Sequence, residues 1–257
     1  RGAAGRPVMT AEKVAGSGRG GAVLLVILGL AAFAVLLALG TWQVQRLHWK
    51  EGLIATIDER IASAPRPLAE IEARLADAGD VDYWPVTASG TFRHEGERHF
   101  FATHRGQSGY FVFTPLALGD GRLVLVNRGF VPFDRKDPAS RAEGQVEGVQ
   151  TVTGLARNRV EEKPNSLMPD NDPAKNIFYW KDLDAMAASA GVGAPGDYLP
   201  FFIDAGDAPN PGGLPVGGVT LIDLPNSHLQ YAVTWYGLAA ALAGVLGAWL
   251  WRRRSAA

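Results

Sequence analysis

The stretch GAVLLVILGLAAFAVLLALGT, residues 21–41, decides the architecture. It carries no charged side chain, and its 21 residues, rising about 1.5 Å each, cover the roughly 30 Å hydrocarbon core of a bilayer. It therefore predicts a transmembrane helix. A second uncharged run of the same length, residues 231–251, predicts another. Tyr231, Trp235 and Tyr236 at one end of it, Trp249 and Trp251 at the other, and Trp42 just after the first run carry the amphipathic rings that settle at membrane–water interfaces. Basic residues precede the first run, as in a cleaved signal peptide. Its apolar stretch exceeds the about 7–15 residues of a signal core, however, and Ala38-Leu39-Gly40 followed by Thr41-Trp42 is a mediocre cleavage site, so the reading is an uncleaved anchor. Met9 is a candidate start, in which case the residues before it carry no meaning.

Charge orients the pair. Residues 1–20 hold Arg1, Arg6, Lys13 and Arg19 against Glu12, and Arg252, Arg253 and Arg254 follow the second run, a net of +3 at either end. Residues 42–251 hold 18 basic and 25 acidic side chains, a net of −7 within a chain of net charge −1. By the positive-inside rule the two tails, 1–20 and 252–257, are expected in the cytoplasm. The segment between the spans, 42–230, is too long for its own charge to count; it is expected outside the cytoplasm, in a periplasm or an equivalent compartment, with the chain crossing its membrane twice. The mean hydropathy near zero is thus an average over unlike parts. Near-neutral charge gives no electrostatic reason to bind nucleic acid. The absence of cysteine excludes a disulfide framework, a zinc–thiolate or Cys-ligated iron–sulfur centre, a thiol nucleophile and covalent haem attachment.

Beyond the first span, Trp42, Arg46, Trp49, Leu53, Ile57 and Ile61 recur at steps of three and four, so the helix is expected to run on as a stalk over 42–63, stopped by Pro65 and Pro67. A short helix follows at 68–78. From Trp84 the pattern changes to short β-type runs at 85–92, 98–104, 110–118, 122–131 and 149–155, with 198–204 and 219–224 available to close the sheet. Gly119-Asp120-Gly121 supplies a tight hairpin turn. A helix is expected at 180–190, with loops at 164–176 and 206–218. The expected fold is two transmembrane helices bracketing an extracytoplasmic α+β domain, mainly antiparallel β, a small barrel or sandwich; a parallel sheet would need alternating helices.

Little in that domain points to chemistry. His94, His99 and His104 are spaced by five, which alternates faces of a strand, so they read as solvated strand histidines rather than a metal site. No G-x-S-x-G, H-E-x-x-H or P-loop occurs, and no nucleophile–base pair stands out, so the chain is not expected to be an enzyme. The start of the second span is more informative. In Pro225-Asn226-Ser227-His228-Leu229-Gln230, Asn226 or Ser227 can cap the helix and leave His228 in its first turn, with His228, Tyr231 and Trp235 on one face. An imidazole there lies at the positive end of the helix macrodipole, which favours the neutral ring that ligates iron. Ala240, Gly244 and Ala248 form a small-residue ridge that permits close approach of another helix. From the residues alone, His228 reads either as an interfacial polar side chain or as a ligand, and His48, just outside the first span, is a second interfacial histidine.

Several motifs, in order along the chain, resemble the Surfeit locus protein 1 family. They begin with Gly40-Thr41-Trp42-Gln43-Val44-Gln45-Arg46-Leu47-His48-Trp49-Lys50. Gly90-Thr91-Phe92, Thr114-Pro115-Leu116 and Leu125-Val126-Asn127-Arg128-Gly129-Phe130-Val131-Pro132 follow. Next come Pro169-Asp170-Asn171-Asp172-Pro173 and Tyr179-Trp180-Lys181-Asp182-Leu183, and the last block is Asn226-Ser227-His228-Leu229-Gln230-Tyr231-Ala232-Val233-Thr234-Trp235-Tyr236. Phe130, where the family usually has Trp, and Ser227 depart from the pattern. The resemblance implies an inner-membrane assembly factor for haem–copper cytochrome c oxidase that helps haem a reach the catalytic subunit, with haem a synthase and membrane lipid as further partners. In bacterial members it implies haem a binding by the second-helix histidine, here His228 as axial ligand. On that reading Tyr231 and Trp235 would pack along the macrocycle or its farnesyl tail, Trp42, Arg46 and Trp49 would form the facing wall with Arg46 on a propionate, and His48 is a candidate second ligand. The alternative is a scaffold that holds oxidase subunits together without obligatory haem.

Overall fold

An apolar run that passes without a break into a three–four periodicity makes one long helix. In the computed structural model, which describes residues 17–220 and 224–255, α1 spans Ser17–Ile61 and α4 spans His228–Ser255. Both are long and apolar enough to cross a membrane. Residues 1–16 of the expected first tail and the last two residues of the second lie outside the described residues. The chain divides into two compact units, Arg1–Ile54 with Leu224–Ala257, and Ala55–Asp223.

The first unit is a helix pair. Its sheltered positions on α4 are 228, 232, 235, 239, 242, 246 and 249, and α1 carries the series 22, 26, 29, 33, 36, 40, 43, 47, 50 and 54 in steps of four and three, with Leu39 and Val44 half-buried beside it. A 3.5-residue repeat is the seam of two helices wound together left-handedly. The helices run antiparallel, since Thr41 meets Tyr236 while Gly29 meets Leu246. The expected small-residue ridge is not the contact: Ala240, Gly244 and Ala248 are exposed, and the buried small residues of α4 are Ala232 and Ala239. Their phase is set by the seam, which a four-residue ridge drifts away from.

The second unit is a β-barrel. After β1 (Arg66–Pro67) and α2 (Leu68–Ala78) come β2 (Pro85–Phe92), β3 (Arg98–His104), β4 (Gln107–Leu118), β5 (Leu123–Pro132) and β6 (Val149–Asn158). The short helix α3 (Leu183–Ala190) and β7 (Tyr198–Ala205) complete it. The sheet order is β1-β2-β6-β7-β5-β4-β3, and a further β2–β4 pairing closes five strands into a ring. Closure brings Gly90 opposite Leu118, where a Cβ would meet the Ala117 carbonyl oxygen at 2.3 Å, so only glycine fits. The ring is not wholly antiparallel: β5 and β7 run parallel, as does the β1–β2 pair. The β5 strand is buried at every residue but its last. Val124 and Val126 face one core cluster with Val86, Leu116 and Ile203, while Leu125 faces another with Phe113, Phe202 and Met186 of α3. A strand covered on both faces is the usual setting for a parallel pairing.

Three expectations are corrected. The 180–190 helix begins only at Leu183, because Asp182 caps it by accepting from Ala185 N (2.9 Å). In the 219–224 run, Val219, Thr220 and Leu224 are not strand, and 221–223 lie outside the described residues. His99 is not solvated. It is 4% exposed with Nε2 3.0 Å from Glu97, His94 Nε2 bonds the Val146 carbonyl at 2.8 Å, and His104 rests on the Phe130 ring. No group of three metal-ligating side chains occurs among the described residues.

Candidate functional site

Two glycines let the helices of the first unit close. A Cβ on Gly40 would come within 2.8 Å of the Tyr236 ring, and one on Gly29 within 2.6 Å of a Leu246 methyl. With the helices drawn together, Thr41 Oγ1 reaches the Tyr236 hydroxyl (3.1 Å). One turn further on, Gln43 falls on the seam. Its side chain is 8% exposed, and a buried amide is costly unless it is hydrogen-bonded. The partner is His228: Nδ1 lies 2.8 Å from Gln43 Oε1. With the amide oxygen as acceptor, Nδ1 carries the ring proton and donates it, so the lone pair is on Nε2. Nε2 has no hydrogen-bond partner among the described residues, and the ring is half-buried in the first turn of α4. A histidine tied back through one nitrogen with the other left basic is the arrangement found in metal-ligating histidines.

The other expected site residues fall on different faces. Trp235 is on the seam with His228, but Tyr231 is exposed, because the seam runs through Ala232 instead. Trp42 and Trp49 are each about half exposed, on the flank of α1 next to Gln43, and the Arg46 guanidinium sits 4.3 Å from the centre of the Trp49 ring, a cation–π contact. His48 is exposed; five residues past Gln43, it is turned about 140° around α1 from the residue that meets His228. The residue missed from sequence is Gln43. Its signal was available, since 36, 40, 43, 47 and 50 keep the four–three phase and Gln43 is an uncharged polar side chain in that series.

The second unit has its own polar centre. Glu97 and Arg141, both buried, form a two-pronged ion pair, with His99 against the same carboxylate. Burial disfavours the Glu97 charge, but His99 and Arg141 outweigh it and hold the carboxyl below the usual carboxylate range. Asp204, also buried, accepts from Asn127 (2.9 Å) and Thr220 (3.1 Å) and pairs with Arg157 (3.4 Å). These contacts span the barrel and its loops and tie them together.

A model of the SURF1 family matches residues 30–240. The chain is 38% identical to Surfeit locus protein 1 of Rattus norvegicus over 238 residues, 86% of this chain and 72% of the relative. It is 38% identical to the Homo sapiens protein of the same name over 235 residues, 85% and 73% of the two chains. It is 37% identical to a SURF1-like protein of Monosiga brevicollis over 253 residues, 93% and 91%. The matches run through both helices and the barrel together, so the chain belongs to the SURF1 family.

Proposed function

We propose that this chain is a non-catalytic assembly factor of haem–copper cytochrome c oxidase that takes up haem a on His228 Nε2 and presents it to the oxidase catalytic subunit. The observation that carries the reading is the Gln43–His228 hydrogen bond, which leaves a fixed imidazole with one basic nitrogen. The donor set suits iron: a neutral imidazole and, in a chain without cysteine, no thiolate to compete. Haem a, when bound, would supply an iron that the His228 imidazole could ligate. In this proposal His228 binds, Gln43 orients it, the exposed rings of Trp42, Trp49 and Tyr231 offer apolar surface to a macrocycle or its tail, and Arg46 offers a propionate a charge-assisted partner. Both helices span the bacterial inner membrane, with the barrel on the periplasmic side and both ends cytoplasmic, as the basic tails favour. Haem a synthase and the lipid bilayer are the further partners.

Haem a titrated into purified wild type and His228→Ala tests the assignment. A saturable spectral change in wild type that is lost in the variant is expected. Equal uptake with an unchanged spectrum in His228→Ala would overturn it and favour the scaffold role.

A further inference from the structure

The second unit contains a cavity of about 230 Å³ that the reading above does not use. Arg128 of β5 and Phe92 of β2 form part of its wall, with Gln150, Thr151 and Thr153 of β6 and Asn210 of the loop after β7. No aspartate or glutamate among the described residues lines it. The Arg128 side chain is withdrawn from solvent at 2% exposure, and its guanidinium lies 4.7 Å from the centre of the Phe92 ring.

Every acceptor that Arg128 finds among the described residues is neutral. Nη2 donates to the Gly144 carbonyl (2.5 Å) and to Asn210 Oδ1 (3.2 Å), Nη1 lies 3.4 Å from His94 Nδ1, and Nε has no acceptor among the described residues. Arg141 and Arg157, by contrast, each have a carboxylate. Glu97, whose charge acts on Arg128, is already engaged by Arg141 and His99. Burial without a counter-charge brings the Arg128 pKa down to about 10, Glu97 opposing and Arg141 adding to the effect. A buried guanidinium with spare donor capacity beside an acid-free cavity is an incomplete ion pair.

We propose that this cavity binds a free short-chain carboxylate, its oxygens taken by the Arg128 guanidinium and its alkyl end lying against Phe92 and Val146. The size agrees: a space of about 230 Å³ leaves room for an acid of a few carbons. The site is independent of His228, which lies in the other unit.

The test uses the full chain in detergent, labelled with ¹⁵N-arginine and titrated with propionate and with its neutral isostere propionamide at constant ionic strength. Propionate is expected to bind saturably and to shift the Arg128 Nε–H resonance, propionamide to do neither, and Arg128→Gln to weaken propionate by about tenfold or more, the loss of one charge-assisted contact. Because Arg128 also holds Gly144 and Asn210, Ala208→Leu, which narrows the cavity without touching the charge, serves as a second variant and is expected to weaken propionate as well. Equal binding of acid and amide, an unmoved Arg128 resonance, or no saturable binding of propionate to the wild type would overturn the proposal.

Discussion

Replacing Gln43 by Leu keeps the helix seam filled and removes only the acceptor of His228 Nδ1. Two effects follow, and their sizes separate them. For folding, a neutral hydrogen bond worth about 1 kcal/mol is lost, and the freed imidazole is only half-buried, so water recovers part of that while Leu adds apolar contact on the seam. The helix pair is expected to change stability by less than about 1 kcal/mol. For ligation, His228 loses both its tautomer and its orientation. Removing such an outer partner costs roughly 10–100-fold in metal affinity, about 1.4–2.7 kcal/mol. The assay is haem a titration of wild type, Gln43→Leu and Gln43→Glu in detergent, read by the Soret absorbance, with far-ultraviolet circular dichroism to follow helix content. Affinity is expected to fall 10–100-fold in Gln43→Leu at unchanged helix content. In Gln43→Glu it should be retained with a lower midpoint potential, because a carboxylate makes the imidazole a stronger donor to iron. Wild-type affinity in Gln43→Leu, or a loss that only tracks lost helix, would refute the assigned role of this hydrogen bond.

Gly40→Ala is expected to destabilise the helix pair by about 1–3 kcal/mol in detergent unfolding and Gly29→Ala by less, because the first Cβ meets the stiff Tyr236 ring and the second a Leu246 methyl that can rotate away. Glu97→Gln leaves Arg141 and His99 buried without their carboxylate and should cost about 3–5 kcal/mol in denaturant unfolding of the full chain. The same carboxylate sets an acid limit. Its folded pKa is depressed, so its contribution is complete above the unfolded value of about 4.3 and is lost as pH falls from there through the lower folded value. A melting temperature that drops below about pH 4.3 in wild type, with a shallower drop in Glu97→Gln, is expected.

What was legible in the sequence is what local pattern dictates. Residues 85–92 and 98–104 end where turn residues end them, and the structure has β2 and β3 at those bounds. The Gly119-Asp120-Gly121 turn works because Gly121 adopts a φ of 90°. The 68–78 helix stops at Gly79, in the left-handed conformation that favours glycine. Pairing between distant segments was not legible. β5 is buried on both faces, so its sequence has no alternation to say which neighbour lies beside it or in which direction, and the parallel β5–β7 pair went unforeseen. His99 read as solvated because nothing near it in sequence announces Arg141, 42 residues on, whose segment brings the buried partner of Glu97. At the candidate site, the polar run before the apolar span marked the place of His228 in the first turn of α4, although Asn226 Oδ1 accepts no capping bond among the described residues, whereas its partner Gln43 is 185 residues away and needed the seam phase. Tyr231 illustrates the same point: i and i+3 share a face in an isolated helix, but which of two adjacent faces meets the partner is decided by the small residues Ala232 and Ala239.

The most direct test of haem a carriage on His228 is the pigment that accompanies the protein itself. The full chain, purified in mild detergent from cells able to make haem a, should carry that haem, seen as the absorption of a histidine-ligated species and as haem a on extraction. The same preparation of His228→Ala should be colourless at equal protein yield. A wild-type preparation free of haem a, or a variant that retains it with the same spectrum, would contradict the account.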